Sequence, residues 1–155
     1  MMQITGIDEP GERVILRGRV FEIDGVTPAG GVLLYAYQTD ANGVYRKEGG
    51  ETGNGRRHGV LRGWLRTDES GSYEIRTIRP APYPSHSEPA HVHVTLEAPG
   101  RPEHWVKTLW FAGDDLIPEE EQGLSDAAGA FGRVVTLRDR GDGILVGERD
   151  LRLLE

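Results

Sequence analysis

The chain is organised around the stretch Pro82-Tyr83-Pro84-Ser85-His86-Ser87-Glu88-Pro89-Ala90-His91-Val92-His93-Val94. It joins a tyrosine held between two prolines to two histidines that are separated by one residue. If the apolar residues between and after the histidines mark a β-strand, both imidazoles lie on one face of it, with their Cα atoms about 7 Å apart. Both rings can then reach one metal ion. This pair becomes a strong signal only if other parts of the chain supply further ligands.

Composition limits the classes of protein and partner. The 155 residues fit one domain, residues 1–155, with a substantial core, since 37% are hydrophobic and 28% are charged. Eighteen Lys and Arg against 25 Asp and Glu give a net charge of −7, so nucleic acids and anionic membrane surfaces are poor partners. Without cysteine the chain has no disulfides and no thiolate ligands, and any metal must be held by His, Tyr, Asp or Glu.

The N-terminus and the sheet edges bear on location and assembly. The N-terminus shows neither a basic flank nor an apolar run, so no signal peptide is visible and we expect a cytoplasmic protein. A leader that had already been removed would instead allow a periplasmic or secreted location. We expect a homodimer if the sheet edges are left unprotected.

Short segments with alternating apolar residues recur along the chain, and turns rich in glycine, proline and aspartate separate them. They predict an all-β fold, an antiparallel β-sandwich of eight to nine short strands with long functional loops. The predicted strands are residues 13–21, 31–39, 60–67, 73–78, 91–96, 106–111, 133–137, 144–146 and 149–153. Between them, residues 44–58 are predicted to form a long polar loop and residues 113–132 a solvated excursion with about one helical turn.

Two tyrosines lie where they can join the histidine pair. Tyr45 is in the long polar loop and Tyr83 precedes the histidine strand. In one interpretation each ring packs over its own loop and hydrogen-bonds through its hydroxyl group. In the other, one metal ion is bound by four side chains, those of Tyr45, Tyr83, His91 and His93. Because the pKa of a phenol is about 10, tyrosinate ligation at neutral pH requires a strongly Lewis-acidic ion. Fe(III) meets that requirement better than Zn²⁺, Mg²⁺ or copper, and imidazoles also suit iron.

A longer pattern surrounds these residues. The segment Thr67-Asp68-Glu69-Ser70-Gly71-Ser72-Tyr73-Glu74-Ile75-Arg76-Thr77-Ile78-Arg79-Pro80-Ala81-Pro82-Tyr83-Pro84 is followed by Pro89-Ala90-His91-Val92-His93. It resembles the intradiol ring-cleavage dioxygenases, in which a Thr-Asp-x-x-Gly-x-Tyr turn leads through a strand to a Pro-x-Pro-Tyr-Pro ligand loop and a Pro-Ala-His-(Ile/Val)-His strand. The upstream Asn42-Gly43-Val44-Tyr45-Arg46 is similar to the region that carries the family's first tyrosine. The resemblance extends from residue 17 to residue 111.

The resemblance implies a β-sandwich that binds one non-haem Fe(III) per chain. It also implies cleavage of a catechol-type ring between its two hydroxylated carbons, with insertion of both atoms of O₂. Tyr45 and His91 match the family's equatorial ligands, and Tyr83 and His93 match its axial pair. By the same resemblance a catecholate chelates the iron and displaces Tyr83, whose released phenolate takes a substrate proton. The expected partners are a small catechol-type molecule and O₂.

Two positions depart from the family pattern. Glu88 stands directly before Pro-Ala-His, where the family usually has an arginine that stabilises negative charge on the substrate, and Thr108 aligns with an expected glutamine. A carboxylate there reverses the electrostatic contribution. Glu88 can instead pair with an arginine, or orient a ligand histidine by accepting its hydrogen bond.

An arginine from another strand is expected to replace the missing cation. We choose Arg62, because it borders the loop that carries Tyr45, although an exposed strand-edge position would equally explain it. The alternatives are Arg57, Arg66 and Arg79. His58, at the end of the same loop, either faces the site as an acid–base group or is exposed to solvent.

Three functions are compatible with these residues. The first is an Fe(III)-dependent intradiol dioxygenase with Tyr83, Arg62 and Glu88 as catalytic residues. The second keeps the metal and uses Glu88 as a base for hydrolysis or hydration of a polyphenol-like or lactone substrate. The third is a non-catalytic module for carbohydrate or aromatic ligands, with a platform formed by Tyr45, Tyr83, Trp64 and Trp105.

Overall fold

The computed structural model describes residues 1–154, and short strands dominate it. Each of the nine predicted strand segments overlaps an observed strand, and three further two-residue strands were not predicted. Within the described residues the strands are β1 (Met2–Gln3), β2 (Arg13–Phe21), β3 (Leu33–Gln38), β4 (Arg62–Arg66), β5 (Ser72–Ile78), β6 (His91–Glu97), β7 (His104–Trp105), β8 (Leu109–Phe111), β9 (Val134–Val135), β10 (Arg138–Asp139), β11 (Leu145–Glu148) and β12 (Leu151–Arg152). The helices in the same range are α1 (Gly55–His58), α2 (Glu119–Ala127) and a 3₁₀ turn (Gly129–Phe131).

The strands form two sheets of six strands each. The first has the order β1-β5-β2-β11-β10, with β12 also paired to β2, and the second has the order β4-β3-β6-β8-β9, with β7 also paired to β6. One hydrophobic cluster takes Leu16 and Ile75 from the first sheet and Leu34, Val92 and Phe111 from the second, all of them buried. The two sheets therefore share a single core, which gives a sandwich-like arrangement.

The prediction of a strictly antiparallel fold is wrong. Four pairs are parallel: β1 with β5, β11 with β2, β12 with β2, and β8 with β9. A parallel neighbour requires a long crossover connection, and the segment between β8 and β9 is long enough to contain α2. Alternation within each strand does not reveal the direction of its neighbour, so both sheets are mixed.

The segment 113–132 is more regular than predicted. It contains the nine-residue α2, whose first turn carries Glu119, Glu120 and Glu121, which are favourable next to the positive end of the helix dipole. The helix is fixed to the second sheet because the Ser125 hydroxyl accepts a hydrogen bond from the Val134 backbone N–H (2.8 Å). Among residues 1–154, no helix is long and apolar enough to cross a membrane.

The central strand of the second sheet separates core from site. Val92, Val94 and Leu96 of β6 point into the core, whereas His91 and His93 alternate with them and point to the other face. Neighbouring strands place aromatic residues on that outer face, because the antiparallel partner of His93 is Tyr37 and the partner of His91 is Trp110. The outer face of this sheet therefore carries the candidate site.

Candidate metal centre

The two loops that carry the tyrosines are joined by backbone contacts. The Ala81 N–H donates to the Asp40 carbonyl (3.1 Å), which ties the loop after β3 to the loop before β6. Gly43 has φ 78°, and a Cβ built on it would lie 2.0 Å from the Pro82 carbonyl oxygen. Only glycine tolerates both this backbone conformation and this approach. The contact sets the distance between Tyr45, two residues after Gly43, and Tyr83, one residue after Pro82.

The four predicted ligands converge on one another. The Tyr45 hydroxyl lies 2.7 Å from the Tyr83 hydroxyl, and the Tyr83 hydroxyl lies 3.0 Å from His91 Nε2. His91 Nε2 is 3.0 Å from His93 Nε2, which is 3.1 Å from the Tyr45 hydroxyl. Two donors bound to one ion at about 2.0–2.1 Å and at right angles would be about 2.9 Å apart. The spacing of all four donor atoms fits a single ion.

The orientation of His91 is fixed by the backbone. Its ring is buried, and its Nδ1 donates to the Pro89 carbonyl at 2.7 Å. This bond places the proton on Nδ1 and leaves the lone pair of Nε2 directed towards the other three donor atoms. The preceding residue is held as well, since the Ala90 N–H donates to Asp114 Oδ2 (2.9 Å). Glu88 does not orient the ring, because its carboxylate lies 4.0 Å from Nε2 rather than next to Nδ1.

The orientation of His93 depends on ring stacking. Its imidazole stacks on Tyr37, with centroids 4.4 Å apart and planes 12° from parallel. His58 stacks on the other side of Tyr37 at 3.7 Å, and its Nδ1 is 2.8 Å from the Tyr35 hydroxyl. Burial lowers the pKa of His93 to about 4, with smaller effects of His91 and His58 in the same direction. His93 is therefore neutral at pH 7, the form that binds metals, and His58 is packed against the site rather than free in solvent.

The phenol of Tyr45 is not ionised by its protein surroundings. Burial raises the pKa of Tyr45 far above its ordinary value, and the hydrogen bond with Tyr83 raises it further. Burial also raises the pKa of Tyr37 to about 12. A trivalent cation next to the Tyr45 oxygen would oppose this effect by favouring the anionic form. Two phenols with two imidazoles are a donor set that suits Fe(III), so the residues present fit the expected ion.

Arg62 lies at the edge of the site rather than inside it. It pairs with Tyr37 across β3 and β4, its Nε donates to the Gly59 carbonyl (3.1 Å), and its guanidinium is 5.1 Å from the Trp64 ring centre. These contacts hold the guanidinium against the loop and Trp64. In the strand register Tyr37 separates Arg62 from His93. Its assignment as the catalytic cation stays a prediction.

A different arginine, missed in the sequence, lies beside the strand partner of His91. The Arg133 guanidinium covers the Trp110 ring at 3.5 Å, and Trp110 is the strand partner of His91. Arg133 also donates through Nε to the Thr108 carbonyl (3.1 Å). Burial lowers the pKa of Arg133, and the carboxylates of Glu121 and Glu88 oppose this shift. No spacing in the sequence connects residue 133 to the histidines, because the parallel pairing of β8 and β9 brings them together.

Two large aromatic side chains flank the cluster and remain about half exposed. Trp105 is 54% exposed and stands edge-on to the rings of Tyr37 and His93, at centroid distances of 6.1 and 6.0 Å. Trp64 is 48% exposed and stacks on Tyr35 at 4.6 Å. Exposed aromatic faces next to four donor atoms are suited to bind a flat, apolar molecule.

Comparison with known proteins identifies the family. A family model described as a dioxygenase matches residues 1–135. A 6-chlorohydroxyquinol 1,2-dioxygenase of Cupriavidus pinatubonensis (strain JMP 134 / LMG 1197) is 32% identical over 128 residues, covering 71% of this chain and 44% of the relative. A chlorocatechol 1,2-dioxygenase of Rhodococcus opacus is 30% identical over 131 residues, covering 73% and 49%. The chain thus spans about half the length of these curated relatives.

A solved structure agrees with these matches. The dioxygenase domain of a dioxygenase and carbohydrate-binding protein fusion from the cellulolytic bacterium Streptomyces sp. SirexAA-E superposes with a TM-score of 0.73. The two proteins are 28% identical, and the alignment covers 97% of this chain and 85% of the other. Together with the four converging side chains, these matches lead to one conclusion. The chain belongs to the intradiol ring-cleavage dioxygenase family.

Proposed function

We propose that this chain is a non-haem Fe(III)-dependent dioxygenase that cleaves a catechol-type ring between its two hydroxylated carbons, with O₂ as co-substrate. The observation that carries the proposal is the convergence of Tyr45, Tyr83, His91 and His93, whose donor atoms are 2.7–3.1 Å apart around the cluster. Relatives named for chlorocatechol and chlorohydroxyquinol support a substrate of the catechol class. One ion per chain is part of the proposal.

The four side chains would hold the ion, and the surroundings of the two tyrosines suit them to different roles. Fe(III), when bound, supplies a Lewis acid that favours the ionised form of a catechol. Tyr45 is backed by the ring of Tyr37 at 5.8 Å. Tyr83 is followed by the exposed residues Pro84 to Ser87, so it has room to move. We therefore assign to the Tyr83 oxygen the acceptance of a proton from a catechol hydroxyl, with release of Tyr83 when substrate binds.

Arg133 is our choice for the cation that stabilises negative charge on the substrate. It lies over Trp110, the strand partner of His91, whereas Arg62 contacts Gly59 and Trp64. Replacing a cation next to an electron-rich substrate weakens its stabilisation in the transition state. Arg133→Gln is expected to lower kcat/KM for catechol by about tenfold or more, and Arg62→Gln by less. Equal losses in both variants, or a larger loss for Arg62→Gln, would return the role to Arg62.

The function is tested by iron content, colour and oxygen consumption. Tyrosinate bound to Fe(III) absorbs visible light, so the purified protein should be coloured and contain about one iron per chain. Tyr45→Phe and Tyr83→Phe should each alter that absorption, and addition of catechols should consume O₂. Colourless protein that takes up no iron on reconstitution would contradict the metal centre and favour the binding module on the aromatic platform.

A second function is favoured by the position of Glu88. Its carboxylate lies 4.0 Å from His91 Nε2, close enough to act as a base next to the proposed ion. Iron-containing protein that consumes no O₂ with any catechol would favour this hydrolytic or hydration reaction.

Glu88→Arg separates the two functions. If the carboxylate only replaces the family's usual cation, the variant should turn over simple catechols several-fold faster, because the charge beside the substrate becomes favourable. Loss of iron with retained folding would instead show that Glu88 supports the ligands, and it would contradict the expected gain in rate.

A further inference from the structure

A second concave surface lies on the far side of Trp105. We call it the C-terminal groove; it is bordered by α2, residues 105–107 and residues 149–154, and its volume is about 430 Å³. That volume is within the range of small-molecule sites. Its apolar lining consists of Trp105, Val106, Leu124, Phe131, Leu151 and Leu154. Trp105, Leu124 and Leu154 are each about half exposed, so apolar surface here remains open to a ligand.

The groove is positively charged in an acidic protein. Its lining has four cations, Lys107, Arg133, Arg149 and Arg152, and two carboxylates, Glu121 and Asp150. Glu121 already contacts Lys107 at 3.8 Å and Arg133 at 3.4 Å. Asp150 accepts a hydrogen bond from the Arg19 backbone N–H (2.9 Å). The lining therefore has an excess of positive charge, whereas the whole chain has a net charge of −7.

Arg149 is the most deeply buried of these cations and has no carboxylate partner among residues 1–154. The residue is only 6% exposed, and its Nη1 donates to the Lys107 carbonyl at 2.7 Å. Its Nε has no hydrogen-bond acceptor among residues 1–154, and no carboxylate of those residues lies within 4.0 Å of its guanidinium. Burying a guanidinium without a carboxylate is costly, because neither its charge nor its donors are fully satisfied. An anion bound in the groove would supply the missing counter-charge.

We propose that the C-terminal groove binds a carboxylate that carries one or two aromatic rings. The carboxylate pairs with the Arg149 guanidinium, whose planar donors match its two oxygens. The rings lie against the apolar lining between Trp105 and Leu124. A compact inorganic anion would pair with the charge but leave the apolar surface exposed, so the groove favours an aromatic acid over phosphate.

The groove shares only Trp105 and Arg133 with the surroundings of the candidate metal centre, and none of the four donor side chains lines it. One edge of this indole faces His93 and Tyr37, while the residue also lines the groove. Ligands in the groove are thus separated from the four donor atoms, and binding does not require the dioxygenase reaction. The two sites can be tested separately in the same protein.

The experiment measures binding of 2-naphthoate to the purified full chain by titration calorimetry, with the neutral 2-naphthamide and inorganic phosphate as comparison ligands. We expect saturable binding of one naphthoate per chain and weaker binding of both other compounds by about tenfold or more. The naphthamide loses the charge-assisted pair, and phosphate loses the apolar contact. Arg149→Met should weaken naphthoate by a similar factor, and Arg76→Met, an exposed arginine of β5, by less than about twofold.

Two further variants keep the test independent of the folding of Arg149→Met. Leu124→Glu adds a carboxylate at an exposed position of α2 and should weaken naphthoate binding, while Leu124→Gln should weaken it less. Tyr83→Phe at the candidate metal centre should leave the affinity unchanged within about twofold. Equal affinity for naphthoate and naphthamide, or equal effects of Leu124→Glu and Leu124→Gln, would overturn the proposal. A large effect of Tyr83→Phe would place the bound naphthoate at the metal centre instead.

Discussion

The tyrosine half and the histidine half of the donor cluster are held by different parts of the fold. Tyr45 and Tyr83 come from two loops that touch each other at Gly43 and Pro82. His91 and His93 come from one strand, whose alternation places both rings on the same face. The tyrosines therefore depend on a contact between loop backbones, and the histidines on the sheet and on what packs against their rings. Damage to one half should leave much of the other intact.

Gly43→Ala should have the largest effect, because it acts on the contact between the loops. The new methyl group would collide with the Pro82 carbonyl, and alanine would have to adopt the left-handed backbone conformation of Gly43. Together these two effects should lower the free energy of unfolding by about 2 kcal/mol or more. The visible absorption of iron-loaded protein should change or disappear as Tyr45 moves away. Chemical unfolding and the absorption spectrum measure the two effects.

Gly50→Ala is the matched control for this change. Gly50 has a similar φ of 80°, but nothing lies within 4 Å of a Cβ built there, so only the strain of the backbone is added. Equal destabilisation by both substitutions would mean that the contact with Pro82 contributes nothing and that the loops are held elsewhere.

Tyr37→Leu should have an intermediate effect, confined to the histidine half. It removes the ring stacked on His93 and leaves the donor atoms in place, so iron should dissociate about tenfold faster into a chelator. Tyr37→Phe retains the ring and should lose iron at nearly the original rate. Equally fast loss of iron from both variants would show that the Tyr37 hydroxyl, rather than the ring stack, supports His93.

Asp114→Ala should have the smallest effect of the three. It removes the acceptor for the Ala90 N–H and should destabilise the fold by about 1 kcal/mol, while Asp114→Asn, which keeps an acceptor oxygen, should cost less. Iron content should change little, because the bond from His91 to Pro89 remains. The midpoint of urea unfolding measures the difference, with the exposed Asp115→Ala as control. A loss of iron as large as that of Gly43→Ala would show that both halves rely on backbone contacts.

The histidine half was the easier half to predict. Alternation along β6 places His91 and His93 on the face opposite Val92 and Val94, and a period of two needs no knowledge of the rest of the fold. The tyrosine half was one of two open interpretations until the resemblance favoured it, since nothing in the spacing of Tyr45 and Tyr83 indicates that their loops meet. The four side chains do converge, and their role as ligands stays a proposal.

The predictions were least accurate where distant segments decide the structure. The helix α2 follows Pro118 and begins with three glutamates, which is a helix start signal. Because the segment is so polar, it was predicted to be a solvated excursion instead. The parallel pairs and the position of Arg133 follow from long crossovers, which local periodicity does not register. The packing of His58 against Tyr37 likewise depends on where the loop closes, at the short helix α1.

The parallel pairing of β8 with β9 has a consequence for how such proteins can diversify. All four donor side chains lie between residues 45 and 93, while Arg133, which covers the strand partner of His91, comes 40 residues later, directly before β9. Under the proposed function, substitutions in this late segment would alter the charge that a substrate meets without changing the four proposed metal ligands. Under the proposed function, affinity for the ion and preference among aromatic substrates would thus be inherited through separate stretches of the gene, and selection could change one while conserving the other.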